Sequence, residues 1–245
     1  MASEGVRQGA RPGAPVHLPT WSRLNIAAKQ SAPAGTGGDF FEVIQQRDGR
    51  VTVVLADVCG NGPSAAAPVS SLRWILRQTV ARGEAPGAVL AAMNDWLVAQ
   101  RIDDRFVTAV CVRIDAVTGR AEIASAGHLG PFVKRAAGSA DELPHTVGLA
   151  LGILSAQVYQ ETSVELAPQD ALVLVTDGIT DRLATAADQL GQSALLERLA
   201  RARHGSESIC SALLGSDARA TEDATVLVMQ MPRRHRRATP VARAG

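Results

Sequence analysis

The stretch from Gly37 to Ser64, GGDFFEVIQQRDGRVTVVLADVCGNGPS, constrains this chain more than any other. Phe40 to Ile44 is apolar with Glu42 interposed, Arg47-Asp48-Gly49-Arg50 is a turn signal, and Val51 to Val58 is β-branched and almost wholly apolar. Turn residues between two β-rich runs predict a hairpin. A hairpin returns the chain antiparallel, so Asp39 ahead of the first strand and Asp57 at the end of the second meet at one edge of a sheet. An aspartate within Val-Thr-Val-Val-Leu-Ala-Asp-Val is costly to bury without a partner. Two carboxylates ~4 Å apart repel by about 4 kcal/mol at an effective dielectric of about 20. Something cationic belongs between them. Cys59-Gly60-Asn61-Gly62-Pro63 lets backbone approach that point closely, and Ser64 is placed to cap the helix that follows.

Around this hairpin the chain alternates strand-rich stretches with pairs of helices. Arg23 to Ala32 reads as a first strand. Ser64 to Ala81 carries Val69, Leu72, Ile75/Leu76 and Val80 at helical spacing, with Arg73 and Arg77 on another, solvated face. Gly83 to Gly87 breaks that helix, and Ala88 to Gln100 makes a second, with Val89, Met93, Trp96 and Leu97 inward. Strands follow at Phe106–Ile114, Arg120–Ser125 and Phe132–Lys134. Ala136 to Pro144 reads as a mobile surface loop. Val147 to Ile153, apolar with glycines, packs closely on something, and Val158 to Leu166 alternates as a half-exposed strand. Ala171 to Thr176 is a buried central strand ending in Asp177-Gly178. Helices at Gln189–Arg203 (Leu190, Leu195, Leu196 and Leu199 inward) and Ser208–Leu214 precede a last strand at Val226–Met231. Helix pairs rather than single crossovers argue for an α+β layered sandwich over a parallel doubly wound sheet.

Composition narrows the functions. The 245 residues are 46% apolar and 20% charged, an ordinary globular balance. A net charge of +1 and an aromatic share of 3% supply neither a field nor a stacking surface for nucleic acid. No segment approaches the ~20 apolar residues of a membrane span. Cys59, Cys111 and Cys210 have neither CxxC spacing nor an even framework, so free thiols and a cytoplasmic setting are expected. Residues 1–19, rich in Gly, Pro and Ala, read as a disordered lead-in. Residues 233–245, opening Arg-Arg-His-Arg-Arg, read as a basic, solvated tail. One domain over 20–232 remains.

Four places in that domain share one grammar: a carboxylate at the edge of an apolar strand. They are Asp39, Asp57, Asp177 and the pair Glu222-Asp223. Clustered carboxylates without His or Cys make a hard-oxygen site suited to Mg²⁺ or Mn²⁺ rather than zinc. Periodicity alone cannot join the four segments, so a shared metal site and scattered turn aspartates both remain open on this ground.

The motifs GGDFFEV, LADVCGNGPSAA, FVTAVCVRID followed by TGRAEIASAGHLGPFV, GLALGI, DALVLVTDGITD and EDATVLV occur in this order. Together they closely resemble the PPM family of metal-dependent serine/threonine protein phosphatases. The likeness is to its bacterial branch, typified by the stage II E sporulation phosphatase and the stress-response regulators of sigma factors, and it covers about residues 22–231. The resemblance implies an α-β-β-α sandwich, a central antiparallel β-sandwich flanked by helix pairs, with two Mn²⁺ or Mg²⁺ ions at one edge. It also implies roles. Asp57 matches the carboxylate bridging both metals, and Val58 the residue whose backbone carbonyl adds an oxygen. Asp177 matches a ligand of one metal. Glu222 and Asp223 stand where the family has Asp-Asp, Glu222 being the better match to the ligand. Asp39 matches an acidic position that meets the site through water or a further ion. Asp39, Asp57 and Asp177 are thus the candidate catalytic residues, and the nucleophile implied is water activated by metal.

The chain also departs from the family pattern. Glu222 is one methylene longer than Asp, Asn61 stands where many relatives have His, and Cys59 where Ser or Met is common. Glu42 and Asp181 exchange carboxylate lengths, and no arginine matches the phosphate-binding one of the eukaryotic relatives. His128 in the AGH turn reads as structural, and Thr108 and Thr176 as strand groups that pack and stand just behind the site. The function implied is hydrolysis of phosphoserine or phosphothreonine on a protein, in this branch an anti-sigma-factor antagonist of STAS type. The alternatives are a catalytically weak partner-switching module and a phosphatase for small phosphate esters.

Overall fold

The computed structural model describes residues 23–31, 38–60, 68–100, 106–215 and 223–233. Expectations for residues 1–19, for the Ser64 cap and for Glu222 lie outside them. Two sheets are stacked face to face. The first has the strand order β1 (Asn25–Ser31), β11 (Ala224–Gln230), β10 (Ala171–Val175), β6 (Phe132–Lys134), β7 (Ala140–Glu142). The second runs β2 (Asp39–Gln45), β3 (Val51–Val58), β4 (Val107–Ile114), β5 (Arg120–Ala126), β8 (Val147–Gly148), with β9 (Thr162–Glu165) also on β5. Every pairing is antiparallel except the two-residue match of β5 with β8.

Alternation along each strand sorts the side chains into three apolar layers. Phe41, Val43, Val53, Leu55, Val110 and Val112 meet Leu172, Leu174, Leu227 and Met229 between the sheets. The opposite face of the second sheet (Phe40, Val54, Ala56, Val58, Cys111) is covered by helices α1 (Val69–Ala81) and α2 (Pro86–Ala99). The outer face of the first sheet (Val173, Val175, Val226, Val228) is covered by α3 (Asp177–Asp181), α4 (Gln192–Arg201) and α5 (Ser206–Leu214). This is the α-β-β-α sandwich expected from the sequence.

Local chemistry sets the boundaries. The β2–β3 hairpin closes through Gln46 N–H to the Arg50 carbonyl at 2.8 Å, with Gly49 in the left-handed region. Pro86 opens α2, where its fixed φ fits and its missing N–H is not needed.

Three expectations are corrected. Residues 136–144 contain β7, which pairs with β6, so this segment is an edge strand rather than a mobile loop. Leu190 is exposed, because Gly191 at φ 63° turns the chain before α4 begins at Gln192. Arg73 and Arg77 do not form a solvated face. Both reach down to Glu42, fully buried on β2, with Arg77 Nη2 at 2.8 Å and Arg73 Nε at 3.4 Å. A carboxylate placed on the α1 side of the sheet has drawn in the two arginines of α1, and the Arg73 guanidinium also lies 5.6 Å from the Phe40 ring centre.

Candidate metal centre

The layer between the sheets ends in polar groups. On β2, β3 and β4 the parity that points Phe41, Leu55 and Val110 inward also points Asp39, Asp57 and Thr108 inward, at the end of β2 and one rung from the ends of β3 and β4. Asp39 and Asp57 are direct cross-strand partners, and so are Asp57 and Thr108. From the facing sheet, Thr176 just past β10 and Thr225 at the start of β11 occupy the matching rung, with Thr176 N–H donating to the Thr225 carbonyl at 3.1 Å.

Asp39 is buried and bridges the two sheets. Its Oδ2 accepts the hydroxyls of Thr176 at 2.7 Å and Thr225 at 2.6 Å. Burial dominates its electrostatics and pushes its pKa up to about 7; the Asp57 and Asp223 charges push the same way, against the two threonine hydroxyls. Asp57, partly exposed at the rim, is raised to about 6, first by burial and then by Asp177 and Asp223. Asp223 is raised by burial, while Gly38 N–H, donating to its Oδ2 at 2.8 Å, and the charge of Arg182 pull it down. Asp177 opens α3, where the helix N-terminus favours a negative charge. Asp39, Asp57, Asp177 and Asp223 therefore act on one another around a single point.

Two glycines make that convergence possible. A Cβ at Gly38 would lie 2.4 Å from the Val58 carbonyl oxygen, and one at Gly178 would lie 1.8 Å from the Asp223 carbonyl oxygen. Only glycine lets the Asp39 strand sit against Val58 and the Asp177 turn sit against Asp223. The Val58 carbonyl thus lies against Gly38, next to Asp39.

The donor set is all oxygen and net negative, which suits a hard divalent cation. Burial first, and then the neighbouring carboxylates, raise the pKa values of Asp39 and Asp57. Among the described residues no three acidic, histidine or cysteine side chains stand close enough to enclose one ion as they are. The carboxylates fit the ion in kind, and they would have to draw together to enclose it.

His128 stands behind this group. Its Nδ1 is 3.0 Å from Thr108 Oγ1, and burial lowers its pKa to about 4, so the ring is neutral at pH 7. It does not touch the carboxylates. Thr225 and the Gly38 N–H are the parts that sequence reasoning missed. Thr225 shares inward parity with Leu227, the one signal that could have found it.

A sequence family described as Stage II sporulation protein E (SpoIIE) matches residues 47–232. Protein IcfG of Synechocystis is 25% identical over 214 residues, which is 76% of this chain and 33% of that protein. Phosphoserine phosphatase RsbU of Bacillus subtilis is 26% identical over 165 residues, 67% of this chain and 49% of that protein. Phosphoserine phosphatase RsbP of the same organism is 24% identical over 167 residues, 66% of this chain and 41% of that one. The chain thus spans a third to a half of the length of these relatives. Among solved structures, the RsbU and RsbW domains of Rv1364c from Mycobacterium tuberculosis match with a TM-score of 0.74 and 28% identity, over 85% of this chain and 60% of that one. The PP2C phosphatase domain of SpoIIE from Bacillus subtilis shares the fold, with a TM-score of 0.75 at 18% identity over 86% of this chain and 64% of that one. With its sandwich, its order of motifs and its converging aspartates, the chain belongs to the SpoIIE family of PP2C-type phosphatase domains, in the sigma-regulator branch of the PPM phosphatases.

Proposed function

We propose that this chain is a Mn²⁺- or Mg²⁺-dependent protein phosphatase that hydrolyses phosphoserine or phosphothreonine on a STAS-type anti-sigma-factor antagonist. The observation that carries the reading is the meeting of Asp39, Asp57, Asp177 and Asp223 at one end of the sandwich, against the Val58 carbonyl. The relatives named phosphoserine phosphatases support the substrate class. The phosphatase domain spans residues 20–232 and works in the cytoplasm; among the described residues no helix is long and apolar enough to cross a membrane.

Asp57, Val58 through its carbonyl, Asp177, Asp223 and Glu222 would hold the metal, two ions in all, with Asp39 set deeper. The ions would supply an activated water and charge neutralisation for the phosphoryl group. The protein would supply the placement: Asp57 pairs with Asp39 on the ladder and feels the charges of Asp177 and Asp223, Gly38 N–H donates to Asp223, and Asp177 stands exposed at a helix start where a phosphoprotein could reach it. No side chain needs to form a covalent phosphoenzyme.

The test is turnover of an aryl phosphate and of a phosphoserine-bearing STAS protein with Mn²⁺, Mg²⁺ or chelator, with Asp57→Asn alongside. Metal-dependent turnover that falls by roughly 100-fold or more in Asp57→Asn supports the reading. Folded protein with no turnover under any metal would refute it. A second reading, a weakly catalytic partner-switching module, draws on the loose spacing of the carboxylates. It predicts tight binding of the phosphoprotein without its hydrolysis.

A further inference from the structure

We propose that Thr176 and Thr225 are positioning residues that clamp Asp39 by one oxygen, so that only its Oδ1 is presented to the cation site. The inference rests on the metal-dependent reading above and concerns residues of the sheet facing the Asp39–Asp57 hairpin.

The directions of the hydrogen bonds are fixed by chemistry. The Thr176 hydroxyl oxygen accepts Thr225 N–H at 2.8 Å, which orients the hydroxyl and leaves its single proton for Asp39. The Thr225 hydroxyl has one proton too, and it also goes to Asp39 Oδ2, at 2.6 Å. Two hydroxyl donors fill both lone pairs of one carboxylate oxygen. Oδ2 therefore has no capacity left for a cation or a proton, and the carboxylate cannot bind a metal through both oxygens. The two threonines are fully buried and Asp39 is 5% exposed, so water does not compete for these bonds. The Asp39 backbone is held as well, its carbonyl accepting Gln30 Nε2 at 3.1 Å.

A carboxyl group on a free side chain turns readily about its last bond. Clamped from the opposite sheet, Asp39 cannot turn, and with Oδ2 taken its side-chain contact with the ladder partner Asp57 falls to Oδ1. Clamping also ties the cation site to the stacking of the two sheets, because Asp39 belongs to one and both hydroxyls to the other.

The experiment compares Thr176→Val, Thr225→Val and Thr225→Ser with the parent chain. It measures Mn²⁺ affinity by calorimetry, metal-free thermal midpoint, and kcat and KM separately. Asp39→Asn is the fourth variant. Its amide oxygen can take both hydroxyls while its amide nitrogen replaces Oδ1. The valine variants should bind Mn²⁺ roughly 10- to 100-fold more weakly, with KM for an aryl phosphate at saturating metal little changed, and Thr225→Ser should restore the affinity. Asp39→Asn should fold with a metal-free midpoint at or above the parent's and show a Mn²⁺-induced rise much smaller than the parent's. Folded valine variants with parental Mn²⁺ affinity would overturn the clamp while leaving the metal reading intact. Should the valine variants fail to fold, Asp39→Asn decides: a Mn²⁺-induced rise equal to the parent's overturns the proposal. A parent chain that binds neither Mn²⁺ nor Mg²⁺ would overturn both readings.

Discussion

In chelator, the stability of this protein should fall as pH rises from about 4 to about 7, and Asp39→Asn should reverse the trend. Asp39, Asp57 and His128 dominate the sign, and Asp223, also raised by burial, acts with the two aspartates. Asp39 titrates near 3.8 when unfolded and at about 7 in the fold. The folded state therefore holds a proton that the unfolded chain has released, and stability is lost as that proton comes off. A displacement of this size corresponds to about 4 kcal/mol at most. Asp57 acts in the same direction, from 3.8 to about 6. Its partial exposure lets solvent screen it, so about 1 kcal/mol is a fair share. His128 opposes both: lowered from 6.5 to about 4, it is neutral in the fold while the unfolded chain is still protonated. Its contribution grows by about 3 kcal/mol as pH rises through that window.

The net expectation for the metal-free parent is a loss of about 2 kcal/mol between pH 4 and pH 7. With Asn at position 39 the largest falling contribution disappears, leaving the smaller one of Asp57. The His128 contribution then wins, and stability should rise by about 2 kcal/mol over the same range. Urea denaturation in chelator at several pH values, followed by far-UV circular dichroism, reads both slopes. Saturating Mn²⁺ should flatten the parent's fall, since a bound cation favours the ionised carboxylates that burial and their neighbours disfavour. A parent that gains stability toward pH 7 in chelator would refute this assignment of the proton, as would an Asp39→Asn variant that falls in parallel with it.

Two further substitutions test the frame around the centre. Arg77→Met removes three hydrogen bonds of 2.8 to 3.1 Å from Glu42, which is fully buried, and leaves it the longer Arg73 contact among the described residues. It should cost about 3 kcal/mol in denaturant unfolding, and Glu42→Leu added to it should recover most of the loss by removing the stranded charge. Gly38→Ala places a methyl 2.4 Å from the Val58 carbonyl oxygen. It should cost roughly 1–3 kcal/mol and weaken Mn²⁺ binding, read by calorimetry, because the same shift moves the N–H that holds Asp223.

What the sequence disclosed and what it withheld divide along a physical line. The β2–β3 hairpin and the pairing of Asp39 with Asp57 are legible because strand period and turn chemistry are local, and because an aspartate in an apolar strand must be accounted for. The ends of helices follow breakers such as Gly83 and Gly191, although Leu190 reads as part of a helix that has not yet begun. Glu42 is visible as an anomaly, but its partners are not. A helix face bearing Arg73 and Arg77 reads the same whether it meets water or a buried carboxylate across a sheet. β7 escapes because three residues at a sheet edge carry almost no periodic signal. The threonines of the clamp escape for the opposite reason. Thr is a favoured strand residue, so Thr225 looks fully explained by its strand, and Thr176 reads as a group behind the site without its partner being visible. Their second task depends on which sheet faces which, and at what rung, and that follows from the stacking of segments 137 and 186 residues away from Asp39. A carboxylate betrays a site by the cost of burying it. The hydroxyls that lower that cost are inexpensive anywhere in a sheet, and they become recognisable only once the two layers are stacked.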